Sequence, residues 1–358
     1  MIFTRFLYTL DEVFINLLIE LLKKEDFNKV IFWTSEIVQS VSSDVYWEIF
    51  WNIYYDFYAI QSNFSLTKYR NNFIKWEKEK NYMYILNFIY KLFNDNYSFD
   101  IFIVTHLYEE KNKQIPNDTY FKLLSILIEQ NKVDSFYKFL KLGLSYIEEK
   151  KIIKFLEKNT GRKFKENIYF KNKTKQLLVF TFQLKTTRKS IKDKIPKIYK
   201  ENINKLFRFE KHIPVEKTLQ IYRKYGISEL TSCFKLAREL LPENMNIQGA
   251  FWYHWEYYAY KSSFWNSKFV AHNAVINREQ KIIEFKDDTD SDNFYIENNY
   301  DVDELPLDVR EKGCKQLNHE LEISDLFISL DKDKLLLFPL SSKLEHRKCN
   351  FYNITEMV

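Results

Sequence analysis

The segment VYWEIFWNIYYDFYAI, residues 45–60, decides how the chain is read. Eight of its sixteen residues are aromatic, and its strongly polar members are Glu48, Asn52 and Asp56. Together with Asp44 these recur every fourth residue, the spacing that puts side chains on one face of an α-helix. The segment therefore reads as a helix buried around most of its circumference, with one narrow polar stripe. It is too short and too acidic to cross a bilayer, whose hydrocarbon core takes about 20 apolar residues. The stripe is expected to be the solvent-facing edge of the helix rather than an acid–base site.

Working outward, residues 9–24 repeat apolar side chains at helical spacing and end in Lys23 and Lys24, which suit a helix C-terminus. A second helix is predicted from Asp26 through FNKVIFWTSEIVQS, and Ser42, Ser43 and Asp44 offer a cap for the aromatic helix. Further helices are predicted near 66–79, 81–94, 98–109, 118–130, 132–142 and 146–158, then 213–225, 227–240, 249–264 and 315–330. The apolar run LLVFTFQL at 177–184 fits a strand or a buried helix, and the helix is favoured. Helices of this length with short connections form antiparallel pairs. The expected fold class is mainly α, an irregular helical bundle or HEAT-like stacked helix pairs, with room for a small β element in the C-terminal half.

With 358 residues the chain exceeds what one core of roughly 250–300 residues holds. The expected organisation is an aromatic-rich helical domain over 1–160, a basic connecting segment over 161–211, and a helical C-terminal domain over 212–358 with an acidic loop at 279–311. The nonapeptides Asp56–Phe64 and Glu256–Phe264 align without a gap and share four residues, an echo that an internal duplication would leave.

Composition narrows the chemistry. Aromatic residues make up 18% of the chain, against only five glycines and six prolines. Gly143, Gly161, Gly226, Gly249 and Gly313 are isolated from one another, so no phosphate loop or dinucleotide fingerprint can be written. Cys233, Cys314 and Cys349 form no C-x-x-C pair and read as free thiols of a reducing compartment. His106, His212, His254, His272, His319 and His346 are scattered without metal-ligand spacing. Asp288, Asp290 and Asp292 have the opening spacing of a calcium loop, but Asn293 stands where its glycine belongs and Asn299 where its glutamate belongs. No metal, cofactor, enzymatic activity or membrane association is expected, and the protein is expected to be cytoplasmic.

Charge supplies the functional signal. Residues 161–211 hold sixteen Lys and Arg against four acids, a local net charge of +12. Clustered cations release counterions from phosphate backbones, and interleaved rings stack on exposed bases. The candidate nucleic-acid-binding residues are Arg162, Lys163, Lys165, Lys171, Lys173, Lys175, Arg188, Lys189, Lys192, Lys194 and Lys197, with Phe164, Tyr169 and Phe170 among them. The same cations could instead meet an acidic protein partner, or the chain's own 279–311 segment with its twelve acids and three basic residues, or form a solvated face. The core of that acidic segment, KDDTDSDN at 286–293, is expected to be an exposed loop.

The stretches WEIFWNIYYDFYAI at 47–60, NYSFDIFIVTHLY at 96–108, YHWEYYAYKSSFW at 253–265 and FYIENNYDVDELP at 294–306, with DVREK at 308–312, resemble an uncharacterised protein family of giant nucleocytoplasmic DNA viruses. The resemblance covers about a quarter of the chain, rests on aromatic packing motifs and carries over no catalytic residue. It implies a host-cytoplasmic setting, such as a viral factory, and work in replication, gene expression or assembly. The expected function is a non-enzymatic helical scaffold that binds RNA or single-stranded DNA, RNA being favoured, and recruits viral or host protein partners. By fold-level analogy a scaffold in translation initiation is one concrete form. The alternative is a virion structural or purely protein-binding component.

Overall fold

The computed structural model describes residues 1–62, 64–106, 117–183, 194–207, 223–298, 302 and 305–330. Over these residues the chain is mainly helical. Its helices are α1 (Leu10–Lys23), α2 (Phe27–Ser40), α3 (Ser43–Ile53), α4 (Leu66–Glu79), α5 (Tyr82–Asn94), α6 (Asp100–His106), α7 (Asn117–Glu129), α8 (Val133–Leu144), α9 (Glu149–Thr160), α10 (Lys173–Phe182) and α11 (Lys200–Phe207). They continue as α12 (Ile247–Tyr253), α13 (Trp255–Ala259), α14 (Ser263–Ala271), α15 (Asp288–Asn298), α16 (Leu307–Glu311) and α17 (Ile323–Ser329). Strands β1 (Val275–Asn277) and β2 (Ile282–Glu284) pair antiparallel, Val275 opposite Glu284 and Asn277 opposite Ile282. This is the mainly helical architecture expected, with its small β element in the C-terminal half.

The chain divides into two compact units, one built from Met1–Trp47 and Ile195–Leu326, the other centred on Glu48–Lys194. The division differs from the boundaries expected at 160 and 211. The aromatic helix α3 runs across the first boundary, and the basic segment is split at Lys194.

In the first unit α1 packs on α2 through their apolar faces, joined by a tight turn in which Lys24 takes the left-handed conformation and its N–H bonds the Glu20 carbonyl. Asp26 accepts from the Asn28 N–H and caps α2. Residues 1–9 are anchored in the core. Phe3, Phe6 and Tyr8 are fully buried, and a turn through Leu7, at φ 59°, lets Phe3 bridge Thr9. Arg5 and Glu36, both completely buried, hold this arm on α2. The Arg5 guanidinium donates to Glu36 Oε1 from Nε at 3.0 Å and from Nη2 at 2.8 Å, while Nη1 donates to the Leu206 carbonyl. Glu36 Oε2 accepts from the Thr4 hydroxyl and the Phe6 N–H, each at 3.0 Å. A buried ion pair persists when its remaining lone pairs and protons are used in this way.

Three readings are corrected within this unit. The helix expected at 227–240 is two short 3₁₀ turns, Glu229–Cys233 and Ala237–Leu240. The helix expected at 249–264 breaks at His254, whose φ of −140° ends α12 and whose Nδ1 lies 3.0 Å from the Lys281 carbonyl. The expected loop at 286–293 enters α15 at Asp288, where acidic residues in a first turn meet the positive end of the helix dipole. The helix expected at 213–225 lies almost wholly outside the described residues.

The second unit pairs α4 with α5 and α7 with α8, while α10 packs on α6 and α8. On α8, Gly143 lies against the buried ring of Tyr120, and a Cβ there would overlap the tyrosine hydroxyl. That close approach accounts for a residue costing about 1 kcal/mol relative to alanine inside a helix. The apolar run at 177–184 is helical through Phe182.

The aromatic segment is helical, and α3 passes directly into a five-residue π-helical turn, Tyr54–Tyr58. The Ala59 N–H bonds the Tyr54 carbonyl at 2.8 Å, an i to i+5 bond. Such single turns inside α-helices cluster at functional sites. Its rings build the core of the unit. Trp51 meets Phe88 edge-on, Tyr54 meets Tyr69, Tyr55 stacks on Phe170 at 4.4 Å, and Phe57 stacks on Phe102. The polar stripe is not a solvent edge. Asp44 is exposed and Glu48 half-buried, but Asn52 is 3% exposed and Asp56 fully buried.

Candidate anion-binding cleft

Four pieces of the second unit meet around a cavity of about 220 Å³. The π-helical turn supplies Tyr54 and Tyr55, α4 supplies Arg70, the loop after α9 supplies Arg162, Lys163, Phe164 and Lys165, and the last turn of α10 with its C-cap supplies Phe180 and Gln183. Four lining residues are cationic and none is acidic.

Local chemistry holds each wall. Gly161, at φ 64°, ends α9 in the left-handed region that glycine adopts without a Cβ clash. The loop then folds back onto α10. Gln176 donates to the Asn167 carbonyl at 3.0 Å and the Phe170 carbonyl at 2.6 Å, and accepts from the Asn167 N–H at 2.7 Å. Asn172 caps α10 by accepting from the Lys175 N–H. At the other end, Arg162 donates to the carbonyls of Phe180, Thr181 and Gln183, which a helix C-terminus leaves without intrahelical partners. Arg162 thus fixes the cleft wall, and burial holds its pKa below the ordinary arginine value.

The other cations are engaged to different degrees. Lys163, 84% exposed, pairs with Glu157 at 3.2 Å. The Phe164 N–H and the Lys163 ammonium hold the Glu157 carboxyl below its usual range. Lys165 is exposed, and among the described residues no carboxylate pairs with it or with Arg70. Arg70 donates to the Glu166 carbonyl at 3.4 Å and lies over the Tyr169 ring. The geometry can hold an anion between Arg70 and Lys165, with Phe164 and Phe180 as an aromatic wall.

The remaining candidates divide. Lys171 is exposed but does not line the cleft. Lys173 is bound by Glu149 at 2.9 Å and Glu166 at 2.5 Å. Burial alone would lower its pKa, and these two carboxylates outweigh it and raise it. Lys194 and Lys197 are exposed and lie outside the cleft, whereas Arg188, Lys189 and Lys192 fall outside the described residues.

Lys175 departs from the expected surface role. Its ammonium is 2.6 Å from Asp56 Oδ1, 3.3 Å from His106 Nε2 and 3.5 Å from Asn52 Oδ1, with its side chain 3% exposed. His106 Nε2 is also 3.1 Å from Asp56 Oδ2. Nε2 either carries a proton for that carboxylate oxygen or, bare, accepts from the Lys175 ammonium, and a single tautomer does not do both. Burial would raise the Asp56 pKa, but Lys175 and His106 outweigh it and hold the carboxyl below its ordinary value. Burial likewise lowers His106, against the pull of Asp56. The polar stripe of α3 is thus half of a buried ion cluster that ties the π-helical turn to α10.

Sequence reasoning missed Arg70, Tyr54 and Tyr55 as cleft residues. A single arginine in the mixed-charge helix LTKYRNNFIKWEKE gives no cluster signal, and only folding brings it to the loop at 161–165. Among the described residues no helix is long and apolar enough to cross a membrane, and no three His, Cys, Asp or Glu stand together as a metal site. No family model matches this chain, and neither does any curated protein or solved structure.

Proposed function

We propose that the protein is a non-enzymatic binding protein that grips RNA or single-stranded DNA, with the cleft beside α10 as the contact point. The observation that carries this reading is a concave surface with four cations, aromatic walls and no carboxylate. Phosphates meet Arg70 and Lys165, while an unstacked base lies against Phe164 and Phe180, the combination by which single-stranded nucleic acids are held without reading a duplex groove. Lys171, exposed on the same loop, extends the positive track beyond the cleft.

Fluorescence anisotropy of a labelled single strand across a salt series tests this. The logarithm of the binding constant should fall linearly with the logarithm of salt, with a slope of roughly −0.7 per phosphate neutralised. The double variant Arg70→Gln, Lys165→Gln should bind more weakly for every sequence and flatten the slope by about 1.4, two phosphate contacts at that same increment. Binding that is absent at low salt, or a slope unchanged in the double variant, contradicts the proposal.

A further inference from the structure

Resting on that nucleic-acid reading, we infer that the cleft receives the end of a strand, one terminal nucleotide carrying a phosphate monoester, rather than an internal stretch. Size is the first ground. At about 220 Å³ the cavity is smaller than the roughly 300–1,000 Å³ of most small-molecule sites, whereas grooves that track single strands cover about 4–16 nucleotides. Such a space admits no more than one nucleotide.

Charge is the second ground. A phosphate monoester carries about −1.5 to −2 at pH 7, whereas an internal diester carries a single charge. Arg70 and Lys165 are two cations without a carboxylate partner among the described residues, so a dianion neutralises both and a diester leaves one over. The acids nearest the loop do not oppose an incoming anion. Glu157 is taken by the Phe164 N–H at 2.9 Å and by Lys163, and Glu166 by Lys173. Of the Arg70 guanidinium nitrogens, Nη1 donates to the Glu166 carbonyl and Nε is buried, which leaves Nη2 for a phosphate oxygen, and the ammonium of Lys165 supplies the second charge.

The test uses the full chain and three strands of one sequence, ending in a 5′-phosphate, a 3′-phosphate or hydroxyls only. One phosphorylated strand should bind about tenfold or more tightly than the hydroxyl-ended strand, the gain of a charge-assisted contact. That preference should shrink as the pH falls below about 6, where the monoester takes up its second proton. It should vanish in Arg70→Gln, Lys165→Gln, whose fold is checked by an unchanged thermal melt. A nucleoside monophosphate should displace the phosphorylated strand at concentrations where inorganic phosphate does not. Equal affinity for all three strands overturns the strand-end inference while leaving single-strand binding intact. Displacement by inorganic phosphate as readily as by the nucleotide removes the nucleotide from the site. No binding by any strand at low salt removes the nucleic-acid reading itself.

Discussion

Replacing Lys175 with Met should cost the fold about 3–5 kcal/mol, the penalty for leaving a buried charge without its partner. The residue left behind is Asp56, fully buried on the π-helical turn, with His106 as its one remaining basic neighbour among the groups described around it. The loss should appear as a lower urea midpoint for the unit centred on Glu48–Lys194, followed by near-ultraviolet circular dichroism. The paired replacement Lys175→Met, Asp56→Leu should recover most of it, because removing both charges leaves no uncompensated ion. A loss below about 1 kcal/mol in the single variant would place the pair in the range of exposed salt bridges and contradict the burial described here.

The same cluster sets a direction for pH. The Asp56 carboxyl is held below its unfolded value of about 3.9, so its contribution is complete above that value and is lost as the pH falls through the lower folded value. His106 is also held down, so folding disfavours its proton, and stability declines as the pH falls through the unfolded value of about 6.5. Both groups act with the same sign. The stability contributed by these two groups should therefore fall on acidification from neutral pH, against the opposite contribution of carboxyls that burial raises, Glu48 and Glu12 among them. The cluster is accordingly read as the difference between the parent chain and Lys175→Met, which removes the ammonium that depresses Asp56.

Arg5→Met should produce a loss of the same size, about 3–5 kcal/mol, in the other unit. It strips Glu36 of its bidentate partner while the carboxylate stays fully buried. Here the double replacement Arg5→Met, Glu36→Met should recover less than its counterpart at Lys175 and Asp56. Glu36 also accepts from the Thr4 hydroxyl and the Phe6 N–H, and each buried donor left without an acceptor costs about 1–3 kcal/mol. Full recovery in the double variant would show that those two donors find other partners.

The helical architecture was legible because its signals are local. The four-residue recurrence of Asp44, Glu48, Asn52 and Asp56, the start of a helix at Asp26 and the shortage of glycine all act within a few residues of where they are read. The burial of the stripe was not legible. Its partner Lys175 lies more than a hundred residues downstream, in a segment where a buried lysine and an exposed one look alike. The break at His254 was hidden for the same reason, since the Lys281 carbonyl near its imidazole belongs to the turn between β1 and β2. Of the candidate site, Arg162, Lys163 and Lys165 came from the charge run. Their division into a helix-capping arginine, a paired lysine and an unpaired lysine depends on Glu157 and on the end of α10, and emerges only from packing.

Crosslinking locates the bound strand on the chain. A single-stranded RNA carrying a photoreactive uridine is irradiated with the full chain, and the attached peptides are mapped by mass spectrometry. Crosslinks are expected on the loop at 161–165 and on the Arg70 turn of α4, reduced in Arg70→Gln, Lys165→Gln. Crosslinks confined to residues 1–47 or 195–326, or unaffected by that variant, would contradict it.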